Sequence, residues 1–229
     1  MRNRFFAVCL LAAPALVLAA TLKPEQANYA VSRDGKIIGT ASYALGANAD
    51  GSWTLHSETR GTGGMARLLG LDVREDSTFA LREGQLQGLR YSYEQDAAIR
   101  HKRRRIDFDW NAQQIRVHDN GKDFRYAPRP GTIDRSTVAV ALGIALANGE
   151  TSITLPVAVR DRVEMQRYAA SGTAPISLPA GKFDAIEIDR TDTPGKVMKS
   201  WYAADTGLLP VRVEQVQHDG SIIVMQLRK

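Results

Sequence analysis

The sequence predicts a mostly β fold: a long curved antiparallel sheet, an open or half barrel, wrapped around one buried apolar helix. Three observations predict it. Turn dipeptides suited to tight hairpins recur along the chain. Between them apolar and polar residues alternate with period two, which gives a strand one buried and one wet face. From Val138 to Ala147 no polar side chain occurs, so a helix there has no face for water and must be buried.

Residues 1–20 read as a cleavable export signal. Arg2 and Arg4 form a basic start, Phe5 to Leu18 an apolar stretch, and Leu18-Ala19-Ala20 a small-residue exit before Thr21. The expected mature chain, 21–229, is a single β-rich domain in the periplasm, with no membrane span after cleavage. Cys9 is the only cysteine and lies within the apolar stretch. The mature chain therefore has no thiol for a disulfide, a nucleophile or a metal site. Losing Arg2 and Arg4 takes the formal charge from +5 to +3.

The hairpins come next. Asp34-Gly35 divides Asn28–Arg33 from Lys36–Leu45. Asn120-Gly121 divides Gln113–His118 from Lys122–Ala127, and Asp219-Gly220 divides Leu209–Gln217 from Ser221–Leu227. These pairs accept positive φ at both turn positions, as a two-residue hairpin requires. Asp50-Gly51, Glu83-Gly84 and Ala180-Gly181 are weaker versions. Leu71, Val73, Phe79 and Leu81 are expected on one face, against Asp72, Arg74, Asp76 and Thr78. Leu89, Tyr91 and Tyr93 oppose Arg90, Ser92 and Glu94, and Ile153 to Val159 alternates in the same way. Pro156 and Pro210 belong on edges or strand starts. The expected total is roughly eleven to thirteen strands, and a sheet that long must curl or close.

Between two predicted strands lies Gly61-Thr-Gly-Gly-Met-Ala66. It has the form of a dinucleotide motif but lacks the long helix and parallel strand such a site needs. It reads as a glycine loop. Met65, Leu68 and Leu69 form an apolar cluster there, a candidate lid.

The strongest charged cluster is Arg100-His-Lys-Arg-Arg-Arg105, running into Ile-Asp-Phe-Asp-Trp110. As a strand it places Lys102, Arg104, Ile106, Phe108 and Trp110 on one face, cationic at one end and apolar at the other. That suits an amphiphile with an anionic head. Lys102, Arg104, Phe108 and Trp110 are the expected ligand contacts. The competing explanation is a charged strand that resists edge-to-edge aggregation.

The helix follows, over Asp134–Gly149. Asp134 or Ser136 can cap its start and Gly149 can end it. Its ten apolar residues are too few to cross a bilayer, which takes about 20. It is therefore a core helix, and the strands wrap it.

Catalytic patterns are weak. His56, His101, His118 and His218 show no metal-ligand spacing, and no G-x-S-x-G elbow occurs. Asp107 and Asp109 share a strand face beside arginines and read as salt-bridge partners. No metal, cofactor, catalytic residue or nucleic-acid partner is expected.

Leu89-Arg-Tyr-Ser-Tyr-Glu94 followed by Ile106-Asp-Phe-Asp-Trp110, Asp134-Arg-Ser-Thr137, Pro179-Ala-Gly-Lys-Phe-Asp184, and Lys199-Ser-Trp-Tyr-Ala-Ala-Asp205 with Leu209-Pro-Val-Arg212 resemble segments of a widespread family of secreted bacterial proteins, the domain of unknown function numbered 3108. The resemblance implies a mostly β protein of the Gram-negative envelope and carries over no catalytic residue. The predicted architecture is also similar to that of periplasmic lipoprotein carriers. The expected function is non-enzymatic binding of an amphiphile, such as a lipid or lipopolysaccharide, in the concave face of the sheet. The alternative is an interaction module for protein or glycan, with a solid core and no cavity.

Overall fold

The computed structural model describes residues 21–68, 70–98, 101–193 and 198–229. Residues 1–20, where an export signal is expected, lie outside the described residues, as do Leu69, Arg100 and the side chain of Met65.

The first strands are β1 (Glu25–Arg33), β2 (Lys36–Ala47) and β3 (Trp53–Gly61). A short helix α1 (Gly64–Leu68) leads to β4 (Asp72–Arg82), β5 (Gln85–Asp96), β6 (Lys102–Asp109), β7 (Gln114–Asp119) and β8 (Lys122–Tyr126). Helix α2 (Thr137–Ala147) precedes β9 (Ser152–Ala158), β10 (Val163–Leu178) and β11 (Gly181–Arg190). The chain ends with β12 (Met198–Ala203), β13 (Arg212–Val216) and β14 (Ile222–Leu227). The 14 strands form one sheet, in the order β8-β7-β6-β5-β4-β3-β2-β1-β14-β13-β12-β11-β10-β9. Every neighbouring pair is antiparallel.

Sequence neighbours pair throughout, with two exceptions. β14 returns to pair with β1, and β8 does not pair with β9. The sheet therefore curls without closing, and α2 lies in the connection between its two edges. The connection also bridges them: Thr132 O accepts from Gly88 N of β5 at 2.9 Å, and Ile133 exchanges backbone bonds with β9 at Pro156 and Ala158. Pro156 sits on edge strand β9, where its missing N–H breaks no inner ladder.

The hairpins at Asp34-Gly35 and Asn120-Gly121 have positive φ at both residues. Glu83-Gly84, a weaker signal, does too. Asp219-Gly220 does not make the expected two-residue turn. The Asp219 carboxylate accepts from Ser221 N and Oγ, and Gly220 N bonds Gln217 O, which sets a wider loop. A bulge displaces Leu89: Thr78 pairs with Arg90 but Phe79 with Gly88, so Gly88 rather than Leu89 joins the inner face. Leu81 is 43% exposed at the rim, not buried with Phe79.

The main core is α2 against the concave face. Val138, Val140, Leu142 and Leu146 pack with Tyr29, Leu55, Phe79 and Ile188. Gly143 lets Leu208 cross the helix: a Cβ there would stand 2.1 Å from Leu208 O. A second core, with Tyr91, Ile106, Phe108, Ile115, Val117 and Ala158, joins the two edge regions.

Candidate functional site

β6 alternates as expected. Ile106 and Phe108 are buried, Lys102 and Arg104 half-buried, and Arg103 and Arg105 exposed. The inner row, however, is already occupied. Phe108 packs over Gly88, where a Cβ would meet its ring at 2.8 Å. Trp110 stacks on Phe108 at 6.5 Å and donates to Gly88 O at 2.8 Å. Arg104 Nε is 3.1 Å from Asp119, which also holds Arg160 at 3.1 Å. On the outer face Asp107 pairs with Arg90 and Arg105, and Asp109 with Arg116.

The start of α2 is a polar cluster. Asp134, fully buried, accepts from Ser77 Oγ (2.6 Å), Ser136 N (2.9 Å), Thr137 N (3.1 Å) and Thr137 Oγ1 (2.8 Å). Asp134 therefore caps the helix, and Ser136, at the N-cap position, makes no side-chain cap. Burial raises the Asp134 pKa, against the pull of those hydrogen bonds. Beside it Glu75 takes Arg135 at 2.6 Å, Tyr91 Oη at 2.6 Å and Ser136 Oγ at 2.8 Å. Burial alone would raise Glu75; the Arg135 charge and these donors outweigh it and hold the carboxyl below its usual range. Arg135 also lies over the Tyr93 ring at 4.8 Å. The sequence held a signal for Glu75: it shares parity with inward Ser77 and Phe79, opposite to Arg74 and Asp76.

The end of α2 is different. Gly149, at φ 82°, and Glu150 return backbone bonds to Leu146 O and Ala145 O, closing the helix by a Schellman motif. Two clefts flank this end. The first, about 580 Å³, lies between α2, β9, β10 and the β4–β5 turn, with Leu81, Ile144, Leu155 and Met165 among its walls and Arg129 and Glu150 at its margin. The second, about 610 Å³, lies between Gly143, Leu146 and Ala147 of α2, the segment Thr21–Glu25, Ile186 of β11 and the 203–208 loop. Both open on the rim that carries the β4–β5 turn. Lys102 and Arg104 stand at the opposite end of the strands and line neither. So does α1, seated on β2 through Thr62 N and Gly63 N to Ile38 O. Leu68 there is 75% exposed.

The sequence missed the cleft walls. Ile144 was legible as apolar helix and Leu81 as apolar strand, but the exposure of either depends on what lies across the gap.

His56, His101 and His118 each meet one aspartate through Nδ1, at 2.7–2.8 Å, on exposed surface. Among the described residues no group of three or more His, Asp or Glu is placed to hold a metal.

No curated protein matches the chain. Among solved structures, a β-barrel-like protein of domain of unknown function DUF1849 from Brucella abortus has 13% identity and a TM-score of 0.58. The match covers 92% of this chain and 98% of that one, and it supports the curled-sheet fold. A provisionally assigned lipoprotein from Parabacteroides distasonis has 12% identity over 91% of this chain and 97% of its own, at a TM-score of 0.36. A provisionally assigned exported protein with a YmcC-like fold from Bacteroides fragilis has 11% identity over 92% and 98%, at 0.32. The family model described as "Protein of unknown function (DUF3108)" matches residues 28–228, nearly the whole described chain, and the protein belongs to that family.

Proposed function

We propose that this chain is an exported envelope protein that binds a lipid-like amphiphile without catalysis, in the first cleft beside α2. One observation carries the reading. Leu81 and Met165, two of the few large exposed hydrophobic residues, face the same cleft as the half-buried Ile144. Apolar surface left wet costs about 25 cal/mol per Å². A cleft of this size, mostly apolar with a few polar groups, is the usual form of a small-molecule site. Exposed Arg129 at the margin suits an anionic head.

A site of Lys102, Arg104, Phe108 and Trp110 also belongs to this reading. It requires Arg104 to leave Asp119 and Phe108 to leave Gly88. The α2 cleft requires no rearrangement and is favoured.

The test is native mass spectrometry of protein isolated from the bacterial envelope, alongside Ile144→Glu. The expected result is a lipid-sized adduct on the wild type and none on the variant. A bare wild-type protein would favour the interaction-module alternative.

A further inference from the structure

The two clefts form a pair. At ~100° per residue, Ala141, Ile144 and Asn148 lie on one flank of α2, and Gly143, Leu146 and Ala147 on roughly the opposite flank. The first set lines one cleft and the second set the other. The volumes, about 580 and 610 Å³, are nearly equal. Both open on the same rim, at the end of the helix. Each has one exposed cation among its lining residues, Arg129 in the first and Lys23 in the second. Neither cation forms an ion pair with another described residue.

One carboxylate also lines each cleft. Glu25, in the second cleft, accepts from Leu208 N at 2.8 Å and Leu209 N at 3.1 Å. Glu150, in the first, is exposed at the surface. The last helix carbonyls are largely taken by Asn148 N, Gly149 N and Glu150 N, which blunts the negative end of the helix dipole.

Resting on the proposed function, we infer that the ligand carries two apolar chains on one anionic head. One chain lies in each cleft, the last turns of α2 stand between them, and the head lies between Arg129 and Lys23. A rigid helix with a cleft on each flank suits a forked ligand better than a single long chain, which would have to bend around it.

The test counts bound molecules by native mass spectrometry. The probes are dipalmitoyl phosphatidylglycerol, which has two chains, and 1-palmitoyl lysophosphatidylglycerol, which has one. The wild type should bind one copy of the first and two of the second. Thr154→Trp blocks the first cleft and Ala147→Trp the second; both positions are exposed, so the fold should survive. Either change should weaken the two-chain probe at least tenfold and reduce the one-chain probe from two copies to one. Replacing Arg129 and Lys23 together by Gln should erase the preference for phosphatidylglycerol over phosphatidylcholine with the same chains. Two copies of the two-chain probe would mean independent sites and overturn the inference. One copy of the one-chain probe, lost in Thr154→Trp and unchanged in Ala147→Trp, would overturn it while leaving the cleft reading intact. Binding of neither probe by the wild type would overturn the proposed function itself.

Discussion

At its N-terminus α2 is sealed by polar groups that satisfy one another, while at its C-terminus apolar walls stand open on both flanks. Asp134 fixes the first end through four hydrogen bonds, and Glu75 with Arg135 covers it. At the other end the helix is closed by backbone bonds from Asn148, Gly149 and Glu150. The difference teaches where each kind of residue acts. Polar groups in the concave face hold the helix in place and leave nothing unpaired; the described residues contain no buried side-chain polar atom without a partner. The unfinished apolar surface lies at the far end, where a ligand can complete it.

If the N-terminal end is the anchor, changes there should dominate stability. Asp134→Ala should cost about 3–5 kcal/mol, because it leaves several buried donors without an acceptor. Asp134→Asn keeps one acceptor oxygen and should cost less. Urea denaturation of the three proteins measures the difference; equal stability of wild type and Asp134→Ala would remove the anchor.

Arg135→Met should cost less, about 1–3 kcal/mol. It leaves Glu75, only 13% exposed, without its cation, but the Arg135 side chain is itself 53% exposed and partly screened.

The same pair should appear in the pH dependence. A carboxyl with a lowered folded pKa stabilises the fold above its unfolded value, near 4, and loses that contribution as pH falls through the folded value. Glu75 is in this class. So is Asp192, which the Arg190 hydrogen bond brings down to about 2. Asp134, raised by burial, works in the opposite sense: its contribution fades as pH rises. Melting temperature should therefore fall from pH 5 to pH 2 in the wild type and fall less steeply in Glu75→Gln and in Asp192→Asn. Parallel curves for all three would sink the assignment.

At the open end the effects on stability should be small. Gly149→Ala should cost about 1–2 kcal/mol, the penalty for a side chain in the left-handed region. Thr154→Trp, at the exposed wall of the first cleft, should stay within about 0.5 kcal/mol of wild type. A large loss in Thr154→Trp would show that this end is core and not a site.

Much of this was legible in the residues. Positive-φ pairs such as Asp34-Gly35 and Asn120-Gly121 mark their hairpins because few other residues tolerate that backbone. Alternation marks the inner and outer faces of β6 because side chains on a strand change sides at every step. An apolar run as long as Val138–Ala147 marks a core helix because no side of it carries a polar group that gains from water. Local chemistry of this kind determines the class of fold, the antiparallel pairing and the place of α2 inside the sheet.

Tertiary structure decided the rest. The bulge at Leu89, which transfers an inner position to Gly88, follows from the register against β4 and from the Phe108 ring above it. Arg104 looks free for a ligand in sequence and is held by Asp119, fifteen residues away on the neighbouring strand. Leu81 and Phe79 carry the same pattern, yet one is exposed and the other buried, because Phe79 packs in the core with the helix while the first cleft separates Leu81 from it. Sequence periodicity tells which way a side chain points; what it meets depends on elements far along the chain, and here that decides which apolar residues make a core and which make a cleft.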